Sequence, residues 1–362
     1  MTAWPIYTGS GVPHHGVDRL PAPPNWRSFD GGPVMPSPDT PDSAARRRLG
    51  ALPEGTVRVP DPQEVQMVNA ALFLRRPLLV TGRPGTGKSS LAALIAQELS
   101  LGPLLRWPIT SRSTLADGLY RYDAIGRLRE ENVRHLRRVA GASADGTPAT
   151  DGAGSGRDEY AAEAADIGRH LRLGPLGTAL LPYARPRVLL VDEIDKSDVD
   201  LPNDLLNVFE EGEFEIDELS RLPEGTGPVT VNTADRDGTA DVVGGRVRCR
   251  AFPLVVLTSN GERQFPAAFL RRCLRLDLQQ PGDEQLDAIV TAHLGREAAD
   301  AAAEHVAAFL ARRERSEVTT DQLLNAVYLA TSGSRHEDRT PEEAASLEAV
   351  VQAVMRPLTG SE

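Results

Sequence analysis

Residues 82–89 have the residue types that a phosphate-binding loop needs. They read GRPGTGKS, a glycine, four variable positions and then Gly-Lys-Ser, between the apolar run 78–80 and an amphipathic segment, 91–99. Glycines let consecutive backbone N–H groups close around phosphate oxygens, and the following helix points its positive end at the same anion. The lysine of this pattern reaches the β- and γ-phosphates, and its serine ligates Mg²⁺. The candidate nucleotide-binding residues are Gly82, Arg83, Pro84, Gly85, Thr86, Gly87, Lys88, Ser89 and Ser90, with Ser89 also a metal ligand.

Lysine is rare in this chain, and its position supports a nucleoside triphosphate as the ligand. The sequence holds only two lysines, Lys88 and Lys196, among 40 lysine and arginine residues. A chain that otherwise uses arginine needs a compact ammonium group in the loop, which the planar fork of arginine does not supply. A glycine-rich turn that matches the pattern by chance is the weaker alternative.

Two adjacent carboxylates follow a second apolar run. Residues 188–191 are continuously apolar, as expected for a central parallel strand covered on both faces, and Asp192 and Glu193 come next. Ligands of open α/β sheets gather at the carboxyl ends of the strands. Asp192 is therefore predicted to hold Mg²⁺, directly or through water, and Glu193 to polarise the attacking water. A solvated turn is the alternative. Neither lysine follows an asparagine, which argues against a GTPase.

Further polar residues follow a third apolar run, 252–257. The run ends in Thr258-Ser259-Asn260, where the side chain of Asn260 can orient the water against the γ-phosphate. Arg271 and Arg272 then end a short helical segment, and an arginine can stabilise the charge of a transferring phosphoryl group. Surface pairing with acidic residues is the alternative for this arginine pair.

Composition limits the class of protein. The 362 residues, 40% of them apolar, suffice for one to three domains. A net charge of −11 argues against a nucleic-acid partner held by bulk electrostatics. Two cysteines without metal spacing suit a reducing compartment. The N-terminus lacks the features of a signal peptide, and no apolar run approaches a membrane span. We therefore expect a cytoplasmic protein that does not enter the membrane.

The elements that position these residues can be outlined from periodicity and composition. Residues 1–52 are rich in proline and glycine and are predicted to form an extended arm that buries little apolar area. A low-complexity surface loop is predicted over 140–157, and Ser113 or Thr114 is expected to cap a helix before it. Other predictions are a helix from residue 62, a strand over 104–109, and helices over 283–294, 298–313, 319–330 and 341–355.

Several of these motifs together resemble the AAA+ ATPases. Within that family they are most similar to the MoxR-type group, over roughly residues 55–335. The first two motifs are specific to phosphate-loop ATPases, whereas the order and spacing of all of them indicate AAA+. The motifs are GRPGTGKS, VLLVDEIDKS, GPL at 174–176, LLNVFEEGEFEI at 205–216, VVLTSN and FLRRC.

The resemblance implies an α/β fold: an AAA+ P-loop core with a parallel sheet between helices over 53–281, and a small all-helical lid over 282–362. It implies binding of ATP and Mg²⁺ and assembly into a homo-oligomeric ring, a hexamer, in which Arg271 and Arg272 reach a neighbouring subunit's γ-phosphate. A helical insert is expected over 111–180. A hairpin is expected over 226–250, with alternating valines at Val229 and Val247 flanking its connection.

The lid departs from the family pattern. In the family, the third lid helix usually begins with an arginine that contacts the nucleotide. Here the corresponding stretch reads TTDQLLNAVYLA, and Asp321 or Gln322 occupies that place. Arg335 is the candidate substitute.

Two classes of function follow. The first is an ATP-hydrolysing motor or chaperone that remodels a partner protein, which the resemblance suggests is one with a von Willebrand A domain. The second is an ATP-controlled oligomeric switch or scaffold in a bacterial signalling or defence assembly. The intact pair Asp192 and Glu193 favours the first.

Overall fold

The computed structural model describes residues 4–38, 49, 60–142, 156–301, 306, 309, 319–333 and 341–354. Its centre is a five-stranded sheet in which neighbouring strands are all parallel. The strands are β1 (Leu78–Thr81), β2 (Leu105–Pro108), β5 (Val188–Asp192), β10 (Leu254–Ser259) and β11 (Leu274–Asp277). Their order across the sheet is β11-β1-β10-β5-β2. The parallel sheet with flanking helices confirms the predicted α/β class.

These strands are apolar throughout because both faces of the sheet are covered. Leu78 and Val80 of β1 lie in one core, which also contains buried residues of the helix Lys88–Glu98. The residue between them, Leu79, lies in a second core on the opposite face, together with Val191 of β5. Consecutive side chains of a strand point to opposite faces. The uninterrupted apolar runs of the sequence are therefore divided between two cores.

One helix precedes β1 in the chain and another follows it. Helix α1 (Pro62–Leu74) begins at Asp61, whose carboxylate accepts a hydrogen bond of 2.8 Å from the backbone N–H of Gln63. Such a cap satisfies one of the free N–H groups at a helix start. Helix α2 (Lys88–Glu98) begins directly after Gly87. The loop is thus the connection between β1 and α2, as predicted.

Helices occupy the region where the sequence leads us to expect an insert. Thr114 caps the first of them in a capping box with Asp117. The low-complexity stretch predicted from residue 140 begins inside a helix, and residues 143–155 lie outside the described part of the chain. The elements are α3 (Leu115–Leu119), β3 (Tyr120–Tyr122), α4 (Ala124–Ala142), α5 (Gly156–Arg169), β4 (Leu171–Leu173) and α6 (Pro175–Ala179).

A buried carboxylate joins the two long helices of this region. Asp166 of α5 pairs with Arg127 at 3.0 Å and Arg134 at 2.7 Å, both on α4, and with Arg169 at 2.7 Å. Burial raises the pKa of Asp166, but the hydrogen bonds from these arginines outweigh burial and hold the pKa below its ordinary value. Asp166 is therefore a charged anchor between α4 and α5.

The prediction of a hairpin over 226–250 is wrong about which strands pair. The chain continues through α7 (Leu201–Glu211), β6 (Glu213–Glu215), α8 (Asp217–Ser220), β7 (Val229–Asn232), β8 (Thr239–Val242), β9 (Arg246–Arg248) and, after β10, α9 (Ala267–Arg272). Strand β7 pairs with β8, whereas Val247 of β9 lies opposite Phe214 of β6. The reason is a second reversal at Gly244 and Gly245, whose φ angles of 58° and 71° suit glycine.

The N-terminal segment packs on the core, which differs from the expectation that it buries little apolar area. Ile6 and Tyr7 are fully buried in the core that contains α2. The buried carboxylate of Glu98 accepts hydrogen bonds from three backbone N–H groups of the segment, those of Thr8, Gly9 and Gly11. Polar side chains of the core thus satisfy the backbone of a segment with few apolar residues.

The C-terminal region is helical, as predicted. Its helices are α10 (Asp283–Leu294), α11 (Arg296–Ala301), α12 (Thr320–Gly333) and α13 (Pro341–Val354), and Leu286, Phe309 and Val327 belong to its separate apolar core. The helix predicted over 298–313 overlaps α11, but most of its length lies outside the described residues, as does Arg335. Within the described ranges, no helix is long and apolar enough to cross a membrane. The divisions of the chain at residues 52 and 281 stay predictions.

Candidate active site

The phosphate loop lies at the carboxyl edge of the sheet, between β1 and α2. Gly82, Gly85 and Gly87 have φ angles of 149°, 79° and 87°. A Cβ atom at Gly82 would lie 2.6 Å from the carbonyl oxygen of Leu278, so this position requires glycine. Of the remaining loop residues, Arg83 and Pro84 are exposed. Thr86 is half-buried, and its hydroxyl donates a hydrogen bond to the Arg83 carbonyl at 3.0 Å. Ser90 is half-buried in the first turn of α2.

Lys88 turns its ammonium group back onto the loop. Its Nζ donates to the carbonyl oxygens of Gly82 at 2.6 Å and Arg83 at 2.9 Å. Burial lowers the pKa of Lys88, and the nearby carboxylates, Asp195 foremost, oppose this shift. The ammonium is therefore held inside the curve of the loop, and its contact with phosphates stays a prediction.

Asp192, at the end of β5, is brought directly to the phosphate loop. Its Oδ1 accepts hydrogen bonds from the Ser89 hydroxyl at 2.6 Å and the Thr258 hydroxyl at 2.9 Å. Burial raises the pKa of Asp192, but hydrogen bonds from Ser89, Arg106 and Thr258 outweigh burial and hold the pKa below its ordinary value. Asp192 is thus an anion, and the two residues predicted to ligate Mg²⁺ are hydrogen-bonded to each other.

Arg106 is a member of the site that sequence reasoning missed. It lies on β2, and its Nη2 and Nε donate to Oδ2 of Asp192 at 2.5 and 3.2 Å. Residues 105 and 107 on either side are buried, so the alternation of the strand indicated only an outward-facing arginine. The sequence offers no signal for this contact, because it depends on β2 pairing with β5.

Glu193 lies beside Asp192 in a left-handed backbone conformation, with φ of 62°. Its backbone N–H donates to the Thr258 hydroxyl at 2.8 Å, and Lys196 Nζ donates to its carboxylate at 2.7 Å. The buried hydroxyl of Thr258 therefore connects Asp192 to Glu193. Sequence reasoning noted Thr258 at the strand end but gave it no role.

A third acidic residue of the same stretch positions Asn260. The buried Asp195 accepts hydrogen bonds through Oδ2 from the backbone N–H groups of Asn260 at 2.8 Å and Glu262 at 3.3 Å. Its Oδ1 is buried and has no hydrogen-bond partner among the described residues. Asp195 was also missed, although the acidic run DEID offered a signal. It ties the turn after β10 to the turn after β5.

Arg271 and Arg272 are not brought to the phosphate loop of their own chain. They end α9, which carries the chain from the carboxyl end of β10 back to the start of β11, where Leu274 pairs with Leu78 at the start of β1. The Nε of Arg272 donates to the carboxylate of Glu210 at 2.7 Å. Both arginines therefore lie toward the amino edge of the sheet, opposite the edge that carries the loop.

The lid contacts the phosphate loop through a threonine. The Thr320 hydroxyl, in the first turn of α12, donates to the carbonyl oxygen of Gly85 at 2.9 Å. Asp321 instead accepts from Asn325, and Gln322 donates to the Val354 carbonyl. The start of α12 therefore contacts the loop through the Thr320 hydroxyl.

The residues present fit Mg²⁺ and a triphosphate. Magnesium prefers hard oxygen ligands, and it is usually bound by one or two carboxylates together with substrate phosphates. The Ser89 hydroxyl and the Asp192 carboxylate, 2.6 Å apart, supply two such oxygens beside the loop. Within the described residues, no group of three His, Cys, Asp or Glu side chains forms a complete metal site. The phosphates themselves would have to supply part of the coordination.

Comparison with known proteins identifies the family. Residues 77–272, more than half of the chain, match the AAA domain of the dynein-related subfamily. The chain therefore belongs to the AAA family of P-loop ATPases, and the matched region spans the phosphate loop, Asp192 and Asn260. The resemblance to AAA+ ATPases is confirmed.

The remaining comparisons add little. Among solved structures the chain is similar to C. elegans PCH-2, with 15% sequence identity and a TM-score of 0.29. The similarity covers 81% of this chain and 64% of the PCH-2 chain. A TM-score this low carries no argument about function. The comparison with curated proteins gives no match.

Proposed function

We propose that this chain is a MoxR-type AAA+ ATPase that hydrolyses Mg²⁺·ATP in a homo-oligomeric ring, a hexamer, and uses the turnover to remodel a partner protein. The observation that carries the proposal is the hydrogen-bonded chain from the phosphate loop to the acidic strand. It runs from Ser89 through Asp192 and Thr258 to the backbone of Glu193. These hydrogen bonds join the predicted metal ligands to the backbone of the predicted base.

Each group has a task in hydrolysis that its position supports. Lys88 would balance the charge of the β- and γ-phosphates, and Ser89 and Asp192 would hold the metal. Bound Mg²⁺ supplies charge neutralisation for the phosphates. Glu193 would release Lys196 and accept a proton from the attacking water, since a base must lie within hydrogen-bond reach of that proton. Asn260, fixed through its backbone by Asp195, would orient the same water.

Assembly would complete the site in trans. Arg271 and Arg272 lie toward the opposite sheet edge from their own loop, so they can reach a γ-phosphate only on another subunit. An arginine supplied in trans can raise hydrolysis by about 10³-fold or more. Release of Glu210 by Arg272 would accompany that contact.

The partner and location are part of the proposal. A protein client, one with a von Willebrand A domain, fits the MoxR-type group. The net charge of −11 opposes nucleic acid as a partner. The free thiols of Cys249 and Cys273 are compatible with the reducing cytoplasm.

A second candidate function is an ATP-controlled oligomeric switch or scaffold in a signalling or defence assembly, with little turnover. The ion pair of Glu193 with Lys196, at 2.7 Å, favours it because the carboxylate must give up this partner before it can contact an attacking water. The contact of the lid through Thr320 in place of an arginine also suits weak coupling of the lid to hydrolysis.

The substitution Glu193→Gln distinguishes the two functions. It keeps the shape of the side chain and removes the base, so hydrolysis should fall by about 10²- to 10⁴-fold while ATP binding persists. Phosphate release measures the first and calorimetry with ATP measures the second. Glu224→Gln, at an exposed position, is the matched control. Turnover of Glu193→Gln equal to that of the parent would remove the base assignment, and a low turnover of both proteins would favour the switch.

A further inference from the structure

The carboxylate of Asp192 has no unused hydrogen-bonding capacity. A carboxylate offers about four lone-pair positions. In Asp192, Oδ1 accepts from the hydroxyls of Ser89 and Thr258, and Oδ2 accepts twice from the guanidinium of Arg106. A cation that binds this carboxylate directly must therefore displace one of the donors.

The donors differ in how easily they can leave. Ser89 and Thr258 have short side chains fixed at the start of α2 and within β10, and the Thr258 hydroxyl is also needed by the backbone N–H of Glu193. Arg106 has a long side chain on the edge strand β2, and 43% of that side chain is exposed, compared with 8% for Asp192. The guanidinium is thus the donor that can withdraw into solvent.

We propose that Arg106 is a positioning residue that neutralises Asp192 in place of the metal in the nucleotide-free protein, and that Mg²⁺ arriving with ATP displaces it from Oδ2. This inference rests on the proposed function, because it takes Asp192 as the carboxylate that serves Mg²⁺·ATP.

Two effects on ATP binding follow from the exchange. Without metal, Arg106 screens the triphosphate from the negative charge of Asp192, so the parent protein can still bind metal-free ATP. With metal, the guanidinium and Mg²⁺ compete for one oxygen, so Arg106 weakens or leaves unchanged the binding of Mg²⁺·ATP. Removal of Arg106 should therefore weaken the binding of metal-free ATP. It should strengthen the binding of Mg²⁺·ATP or leave it unchanged.

The test is the dissociation constant for ATP in excess EDTA divided by the dissociation constant in excess Mg²⁺. Both constants are measured by calorimetry on the full chain. In Arg106→Ala we expect this ratio to rise about tenfold or more, which corresponds to about 1.4 kcal/mol. The rise should come from weaker binding in EDTA, with Mg²⁺·ATP bound as tightly as by the parent or more tightly. Arg106→Lys should keep the ratio of the parent, because it retains the positive charge.

Arg275→Ala is the matched control, since Arg275 is an exposed arginine on β11, the other edge strand of the same sheet. Its ratio should equal that of the parent. If Arg106→Ala does not fold, Arg106→Gln is expected to give the same rise. An unchanged or lower ratio in a folded variant overturns the exchange and leaves the proposed function standing. Failure of the parent to bind ATP in Mg²⁺ overturns the proposed function, and this inference with it.

Discussion

Replacement of Thr258 by valine tests whether its hydroxyl connects the two acidic residues of the site. Valine has nearly the shape of threonine, and Thr258 is 1% exposed, so the change removes the hydroxyl without opening a cavity. Two hydrogen bonds are lost, the donation to Asp192 Oδ1 at 2.9 Å and the acceptance from the Glu193 N–H at 2.8 Å. The backbone N–H of Glu193 is then left without its partner.

The expected loss can be worked from these two bonds. A hydrogen bond to a charged group contributes about 1.5–3 kcal/mol, and a buried donor left unsatisfied costs about 1–3 kcal/mol. Asp192 keeps its donors from Ser89 and Arg106, so we place the combined loss in the free energy of unfolding at about 2–4 kcal/mol. For a domain of about 150–250 residues, a loss of this size lowers the melting temperature by about 4–16 °C.

Thermal unfolding followed by circular dichroism in the absence of nucleotide measures this loss. Thr291→Val is the matched control, because the Thr291 hydroxyl is also buried but has no hydrogen-bond partner in the described structure. Its melting temperature should be unchanged or higher. A Thr258→Val melting temperature equal to that of the control would refute the role given to this hydroxyl.

Two further changes test the insert and the assembly. Asp166→Asn should lower the free energy of unfolding by about 1–3 kcal/mol at neutral pH. Because the folded pKa of Asp166 lies below its unfolded value, the difference in the free energy of unfolding between the parent and this variant should shrink as the pH falls below about 4. Urea titrations at several pH values measure this difference. A difference that does not depend on pH would contradict the role given to Asp166. An Arg271→Ala, Arg272→Ala protein mixed with Lys88→Ala should recover ATPase activity that each lacks alone; co-assembled subunits that stay inactive would exclude trans completion.

The parallel sheet was predictable because its strands are buried on both faces. A continuous apolar run such as 188–191 has few alternatives once a phosphate loop precedes it, and polar residues at the strand end must then meet that loop. The lid helix Asp283–Leu294 was predicted at its observed bounds from its helical apolar spacing, and in the structure an acidic first turn and a following Gly295 mark its ends.

The remaining features depend on which strands become neighbours. The contact of Arg106 with Asp192 exists only because β2 pairs with β5, a relation that local periodicity does not encode. The pairing of β9 with β6 was missed for the same reason. The burial of Ile6 depends on the side chain of Asn69, which accepts hydrogen bonds from the Ile6 and Tyr7 N–H groups at 2.7 and 3.0 Å. Composition alone does not show such partners.

Calorimetry of ATP binding to the parent and to Lys88→Ala in Mg²⁺ buffer tests the central claim most directly. The ammonium of Lys88 is held within the loop by the carbonyl oxygens of Gly82 and Arg83, and its removal leaves the charge of the β- and γ-phosphates uncompensated. We predict saturable binding of ATP by the parent and no measurable binding by Lys88→Ala, with both proteins folded by circular dichroism. Equal ATP affinity of the two proteins would contradict the assignment of this loop as the nucleotide site.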